Sequence, residues 1–169
     1  YCRMLACLNI YNCRISDVTV RTVRRYASKL TNLTIGDSQR DSSLTNTGRV
    51  EVMNFKFLQN LSLKSLTHVE TSFPLSFSIN TLLTSLSVTM TKCSDVDAGF
   101  IASCVNLVSL KIAACGITDE LIGDICKSCT HLEVISLFYC VMLTAESFAV
   151  ICESLPQLVS LSIAFCSNM

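Results

Sequence analysis

The chain runs to 169 residues, half of them hydrophobic and only 15% charged, with 13 Lys and Arg balanced by 13 Asp and Glu. Such a chain can bury a large core, and its zero net charge excludes an overall electrostatic pull toward nucleic acid or a membrane surface. Its five scattered glycines form no phosphate-cradling loop.

Taken in chain order, one frame recurs. It reads Leu5-x-x-Leu8-x-Ile10-x-x-Cys13, Leu30-x-x-Leu33-x-Ile35, Leu58-x-x-Leu61-x-Leu63 and Leu83-x-x-Leu86-x-Val88. It continues as Leu107-x-x-Leu110-x-Ile112-x-x-Cys115, Leu132-x-x-Ile135-x-Leu137-x-x-Cys140 and Leu158-x-x-Leu161-x-Ile163-x-x-Cys166. The first leucines recur at a nearly fixed step, the longest being from Leu30 to Leu58. In each frame the last two apolar residues alternate with their neighbours, the period of a strand with one buried face. A turn and then a helix on the opposite side should complete each unit.

In the first unit Ile15-Ser16-Asp17 precedes a helical pattern over Val18–Lys29, and a Ser or Asp there can accept a free backbone N–H. The second unit carries a turn-rich stretch from Asp37 to Gly48, expected to project as a loop, with Leu44-Thr45-Asn46 as a displaced capping triplet. The third replaces the helical pattern with VETSFPLSFSIN, where Pro74 fits at most a first helical turn, so an irregular convex segment is expected. The fourth has Thr91 in the slot eight residues after its first leucine, with Cys93 nearby. In the fifth, Thr118 or Asp119 can cap a helix whose inner face is Ile122, Ile125, Cys126 and Cys129. In the sixth, Leu143-Thr144 precedes a helix over Glu146–Ser154, with Phe148, Ile151, Cys152 and Leu155 directed inward. The seventh ends just after its strand. The uncharged run Thr71–Thr91 has transmembrane length. Its ten Ser and Thr, Asn80 and Pro74, and the repeat strand inside it, exclude a membrane span.

Seven of the eleven cysteines occupy two slots of the frame. Cys2, Cys104 and Cys129 stand three residues before a first leucine, and Cys13, Cys115, Cys140 and Cys166 stand eight residues after one. Cysteine packs as a small, buried hydrophobe. An odd number of thiols set by repeat register points to free thiols in a reducing compartment, hence a cytoplasmic or nuclear location. Cys126-x-x-Cys129 has the spacing of half a zinc site, but no second pair matches it, and no metal or cofactor is expected.

The full register, Cys-x-x-Leu-x-x-Leu-x-Leu-x-x-Cys-x-x-Leu-Thr-Asp followed by a helix, resembles the cysteine-containing subfamily of leucine-rich repeats. Cys104–Asp119 and Cys129–Thr144 carry the match best, and the resemblance spans nearly the whole chain. It implies an α/β right-handed solenoid, a horseshoe with a parallel sheet on the concave face and helices on the convex face. This subfamily is best known from F-box proteins, whose repeats bind the substrates of cullin-type ubiquitin ligases while a preceding F-box docks the adaptor. No F-box is present in residues 1–169, so a cullin-ligase adaptor is implied only through a segment outside them. No linker or second domain interrupts the array of about seven units. Neither end carries the polar capping unit a solenoid needs, so truncation at both ends is expected.

Residues 1–64 hold ten Lys and Arg against four Asp and Glu, and residues 65–169 hold three against nine. The densest basic cluster, Arg21, Arg24, Arg25 and Lys29, lacks interleaved aromatics and reads as a solvated convex face rather than a nucleic-acid site. The residues two, four and six after each first leucine should line the concave surface, the usual binding face of a solenoid. Lys64 and Lys111 are the only charges among them. Phe138 and Tyr139 of one unit and Phe165 of the next should be neighbours, and large aromatics near a rim suit interface anchors. The candidate partner-binding residues are therefore Tyr11, Lys64, Lys111, Phe138, Tyr139 and Phe165. A covering repeat beyond residue 169 is the alternative fate of the aromatic cluster.

No catalytic constellation emerges. The two histidines, His68 and His131, lie in an irregular turn and just before a repeat leucine, and serine is too abundant for a neighbouring Ser to carry meaning. The sequons Asn32-Leu33-Thr34 and Asn60-Leu61-Ser62 arise naturally from a Leu-polar repeat. The sequence therefore reads as a non-catalytic protein- or peptide-binding module, with the substrate-recognition region of an F-box ligase as its implied role. A scaffold unconnected with ubiquitin and a receptor ectodomain fragment are the other two readings.

Overall fold

The computed structural model describes residues 2–36, 44–64, 82–89 and 95–169. Within them the strands are β1 (Cys7–Tyr11), β2 (Asn32–Gly36), β3 (Asn60–Lys64), β4 (Ser85–Thr89), β5 (Ser109–Ala113), β6 (Val134–Phe138) and β7 (Ser160–Ala164). The helices are α1 (Asp17–Tyr26), α2 (Asn46–Met53), α3 (Asp95–Ser103), α4 (Asp119–Ser128) and α5 (Ala145–Ser154). Every strand begins two residues after its unit's first leucine. The seven pair in sequence order, all parallel and in register, so Leu8, Leu33, Leu61, Leu86, Leu110, Ile135 and Leu161 form one continuous row. This is the expected leucine-rich-repeat solenoid.

The frame's second and third apolar residues point from the sheet toward the helices. In β2 to β6 they are at most 7% exposed. Burying each such side chain contributes about 1.5–3 kcal/mol. The rows are half-buried in β1 and β7, which each have one neighbouring strand. One residue before each strand, the backbone makes a further tie. The carbonyls of Ala6, Thr31, Gln59, Thr84, Val108 and Glu133 each accept two successive N–H groups of the following unit, at 2.8–3.0 Å.

The helix starts explain the recurring Ser/Thr-Asp. Ser16, Thr45, Thr118 and Thr144 are the N-caps of α1, α2, α4 and α5, each accepting a first-turn N–H. The aspartate that follows does a different job from capping its own helix. Asp119 accepts from both the backbone N and Oγ1 of Thr144, at 2.9 and 2.6 Å. Asp17 does the same to Thr45, at 2.8 and 2.7 Å. One unit's carboxylate thus fixes the next unit's cap with two charge-assisted bonds. Gly48 keeps that path open, because a Cβ there would collide with the Asp17 carboxylate and the Leu44 side chain. Asn46 to Gly48, expected in the turn-rich stretch, are instead the first turn of α2. The remainder of the expected loop, the irregular third unit with Pro74, and Thr91 and Cys93 lie outside the described residues.

In the fifth and sixth units the two cysteine slots hold buried thiols, Cys166 in the seventh is half-buried, and several of them also donate to carbonyls. Cys140 Sγ lies 3.7 Å from the Ile112 carbonyl one unit back and 3.6 Å from its own unit's Phe138 carbonyl. Cys166 repeats this with Leu137 and Ala164, at 3.9 and 3.6 Å. Cys129 Sγ reaches the Ile101 and Cys104 carbonyls, at 3.4 and 3.5 Å, where α3 ends. Burial pushes the Cys104 and Cys129 thiols up to about 12, and Cys126 and Cys140 up to about 11. The same slots in the first unit, Cys2 and Cys13, are exposed. All ten described cysteines are free.

The inner face of α4 matches expectation: Ile122, Ile125, Cys126 and Cys129 are fully buried. On α5 the expectation needs correction. Ile151 and Leu155 are buried, but Phe148 is 51% exposed and Cys152 is exposed, while Ser147 takes a fully buried place. Phe148 and Cys152 hold the same positions along α5 that Ile122 and Cys126 hold along α4. Those two flank positions on α4 lie within the helix stack, whereas α5 is its last helix, so the same flank stays open.

Asp119→Ala should lower stability by about 1–2 kcal/mol, the net worth of two partly exposed charge-assisted bonds, read as a lower urea midpoint at unchanged slope. A neutral effect would remove the carboxylate from the inter-unit tie. For the thiols, a folded pKa above the usual 9.0 means that the unfolded chain releases its protons first. Stability should therefore be complete below pH 9 and fall from pH 9 to about 11 for Cys126 and Cys140 and to about 12 for Cys104 and Cys129, by up to about 1.4 kcal/mol per unit for each thiol in its window. At pH 7 a thiol reagent should label Cys2, Cys7, Cys13 and Cys152 rapidly, and Cys104, Cys126, Cys129 and Cys140 only on unfolding. Immediate labelling of the second set would contradict their burial.

Candidate protein-binding face

The in-register pairing sorts the outward residues of the sheet into three rows. The entry row runs Cys7, Asn32, Asn60, Ser85, Ser109, Val134, Ser160. The middle row contains Asn9, Thr34, Ser62, Ser87, Lys111, Ser136 and Ser162, and the exit row Tyr11, Gly36, Lys64, Thr89, Ala113, Phe138 and Ala164. Small polar residues dominate the centre. Cys7, Asn9, Asn32, Asn60, Ser62 and Ser87 are among those lining a shallow depression of about 180 Å³ there. Both sequon asparagines sit half-buried in its floor.

The exit row gathers the candidate residues at its two ends. At the first end Tyr11 is 57% exposed, and the Lys64 ammonium stands 5.5 Å from its ring centroid. These residues are on β1 and β3, and Gly36 lies between them on β2. A Cβ on Gly36 would meet Lys64 Cβ at 2.7 Å and Tyr11 Cβ at 3.4 Å. The glycine thus lets Lys64 lean across a strand, placing a cation on an aromatic face. The sequence singled out both residues without pairing them. The signal was Gly36 alone in a row of side chains. Lys111 is exposed one row over, on β5.

At the other end Phe138, Tyr139 and Phe165 come together as expected. Phe138 meets Tyr139 and Phe165 edge-on, with centroids 4.8 and 5.0 Å apart, and Tyr139 stacks on Phe165 at 4.9 Å and 12°. All three are solvent-accessible, at 37%, 49% and 63% exposure. Backbone conformation presents them. Asn12, Ala114, Tyr139 and Phe165, each seven residues after a first leucine, adopt left-handed φ of 61°, 53°, 54° and 58°. The turn preserves the ladder: Ala114 N donates to Phe138 O and Tyr139 N to Ala164 O, at 2.7 and 3.0 Å. Asparagine tolerates this region, whereas a bulky aromatic is strained there. Two aromatics therefore hold a position whose backbone conformation favours Asn or Gly.

Elsewhere three arginines of α1 are internally engaged. Arg24 of α1 places a guanidinium nitrogen 2.9 Å from Glu51 of α2, Arg21 Nε donates to Asp17 O, and Arg25 lies over the Tyr26 ring. The basic cluster thus has intramolecular uses on the convex side. His131 is exposed, and His68 lies outside the described residues. Among the described residues, no helix is long and apolar enough to cross a membrane and no group of His, Cys, Asp and Glu is placed to hold a metal ion.

No known family's sequence model matches the chain, and no curated protein matches it. Among solved structures it is similar to the leucine-rich repeat domain of the type III effector XopL, at 22% identity and a TM-score of 0.56. That alignment covers 83% of this chain and 46% of that one, so the chain spans just under half of its length. The similarity establishes the fold.

Tyr139→Asn should relieve about 1 kcal/mol of left-handed strain against exposed ring contacts worth about 0.5–1.5 kcal/mol. Chemical denaturation should therefore give a stability close to that of the parent. A loss above about 2 kcal/mol, the scale of truncating a core side chain, would make the ring part of the core.

Proposed function

We propose that this chain is a non-catalytic protein-interaction module whose concave sheet holds a protein or peptide partner. Phe138, Tyr139 and Phe165 act as the apolar anchor, with Tyr11, Lys64 and Lys111 as peripheral contacts. The observation that carries this reading is the aromatic trio: three large rings cluster in solvent, two of them at a cost in backbone strain. Rigid aromatics that offer area at low conformational cost are typical anchors of protein interfaces. Apart from Lys111, small polar residues fill the middle row from the trio to the depression over β1–β4 and leave room for an incoming chain.

The finer reading is substrate recognition for an F-box-type ubiquitin ligase, acting in the cytoplasm or nucleus. It draws support from the cysteine-bearing repeat register and from the free thiols. The mechanism would be positioning. The sheet would hold a protein near a ubiquitin-charged enzyme and raise its effective concentration without chemistry of its own.

Phe138→Ala combined with Phe165→Ala should cut partner capture, quantified by mass spectrometry against the parent, at least tenfold, with the melting temperature within a few degrees. Undiminished capture, or loss only through unfolding, would sink the anchor. Co-precipitation of a cullin adaptor with the full-length gene product tests the finer reading separately. Its absence would leave a binding scaffold.

A further inference from the structure

The proposed binding face carries its own description of a partner. Of the 21 outward positions in the three rows, two are cationic, Lys64 and Lys111, and none is anionic. Among the described residues no carboxylate pairs with either. Of the acidic side chains of the second half, Asp119, Glu120 and Asp124 are on α4 and Glu146 and Glu153 on α5, while Glu133 stands one residue before β6 at the entry edge of the sheet, outside the three rows. The three concave rows are thus cationic without a counter-charge of their own, although most of the chain's Lys and Arg, Arg21, Arg24 and Arg25 of α1 among them, lie elsewhere.

The geometry then sets spacing. Phe138 and Lys64 share the exit row three strands apart, about 14 Å at the usual ~4.8 Å between strands. Lys111 lies one strand and two residues from Phe138, about 8 Å away by the same dimensions. A chain laid across the strands advances about 3.3 Å per residue and turns alternate side chains toward the sheet. We infer that the concave face binds an extended acidic segment of a protein partner, with an apolar residue on the Phe138–Tyr139–Phe165 cluster and carboxylates two and four residues away, opposite Lys111 and Lys64. The polar depression beyond Lys64, lined by Asn9, Asn32 and Asn60, provides amides for the continuing backbone. This inference rests on the concave-face reading above.

The test uses the chain with fluorescein-labelled peptides Ser-Glu-Ser-Glu-Ser-Phe-Ser and its reversed order, read by fluorescence anisotropy at low and high salt. One order should bind, weaken with salt, and lose at least tenfold when both Glu become Gln. Lys64→Gln and Lys111→Gln should each weaken it roughly threefold, the scale of a single exposed ion pair. Replacing the peptide Phe with Ala should also cost at least fivefold. The inference is overturned if neither order binds at millimolar concentration, or if the Gln peptide binds as well. It also fails if the Lys variants keep full affinity, or if the Ala peptide binds equally, as a mere polyanion would. Those results leave the aromatic anchor standing, which falls if the Phe138→Ala, Phe165→Ala variant captures partners undiminished or loses capture only through unfolding.

Discussion

Each inner strand of the sheet, β2 to β6, satisfies its backbone through the strand before it and the strand after it, and the rest of the structure depends on that in-register ladder. Stability in such an array is a sum of nearest-neighbour terms. The period matters because each unit must bring its donors opposite the preceding unit's acceptors. In the longest unit, from Leu30 to Leu58, the extra residues fall between Gly36 and Thr45. Thr45 still meets Asp17 as Thr144 meets Asp119. Strand and cap are held, and the connection between them absorbs the difference.

The thiols belong to the same ladder. At the turns after β6 and β7 the Phe138 and Ala164 carbonyls each accept a backbone N–H and also lie within reach of a thiol. A cysteine there is small enough to be buried and still offers a weak donor. Cys140 and Cys166 each reach a carbonyl of their own unit and one of the unit before. Burial keeps the Cys140 thiol protonated at neutral pH and so preserves the donor.

On the concave side the backbone constraint becomes a means of display. After β1, β5, β6 and β7 a left-handed residue ends the strand at the exit rim, and in the last two of these that residue is aromatic. Local strain is retained where surrounding structure over-determines it, and such positions concentrate at functional surfaces. The Tyr11–Lys64 pair at the opposite end has a related origin, since it exists only because Gly36 offers no side chain between them.

By itself the sequence determined every strand start, the three concave rows, the inner face of α4 and the meeting of Phe138, Tyr139 and Phe165. These follow from a period of two within strands and a nearly fixed step between units, and periodicity is a property that one chain displays locally. Only the tertiary structure decided the rest. Asp17 and Asp119 turned out to serve the next unit's cap rather than their own helix. Phe148 and Cys152 are exposed, although Ile122 and Cys126 in the same slots are buried. The rings of Tyr139 and Phe165 are held by left-handed backbone. Each of these depends on what stands one unit away, and a repeating pattern specifies a slot without specifying its neighbour.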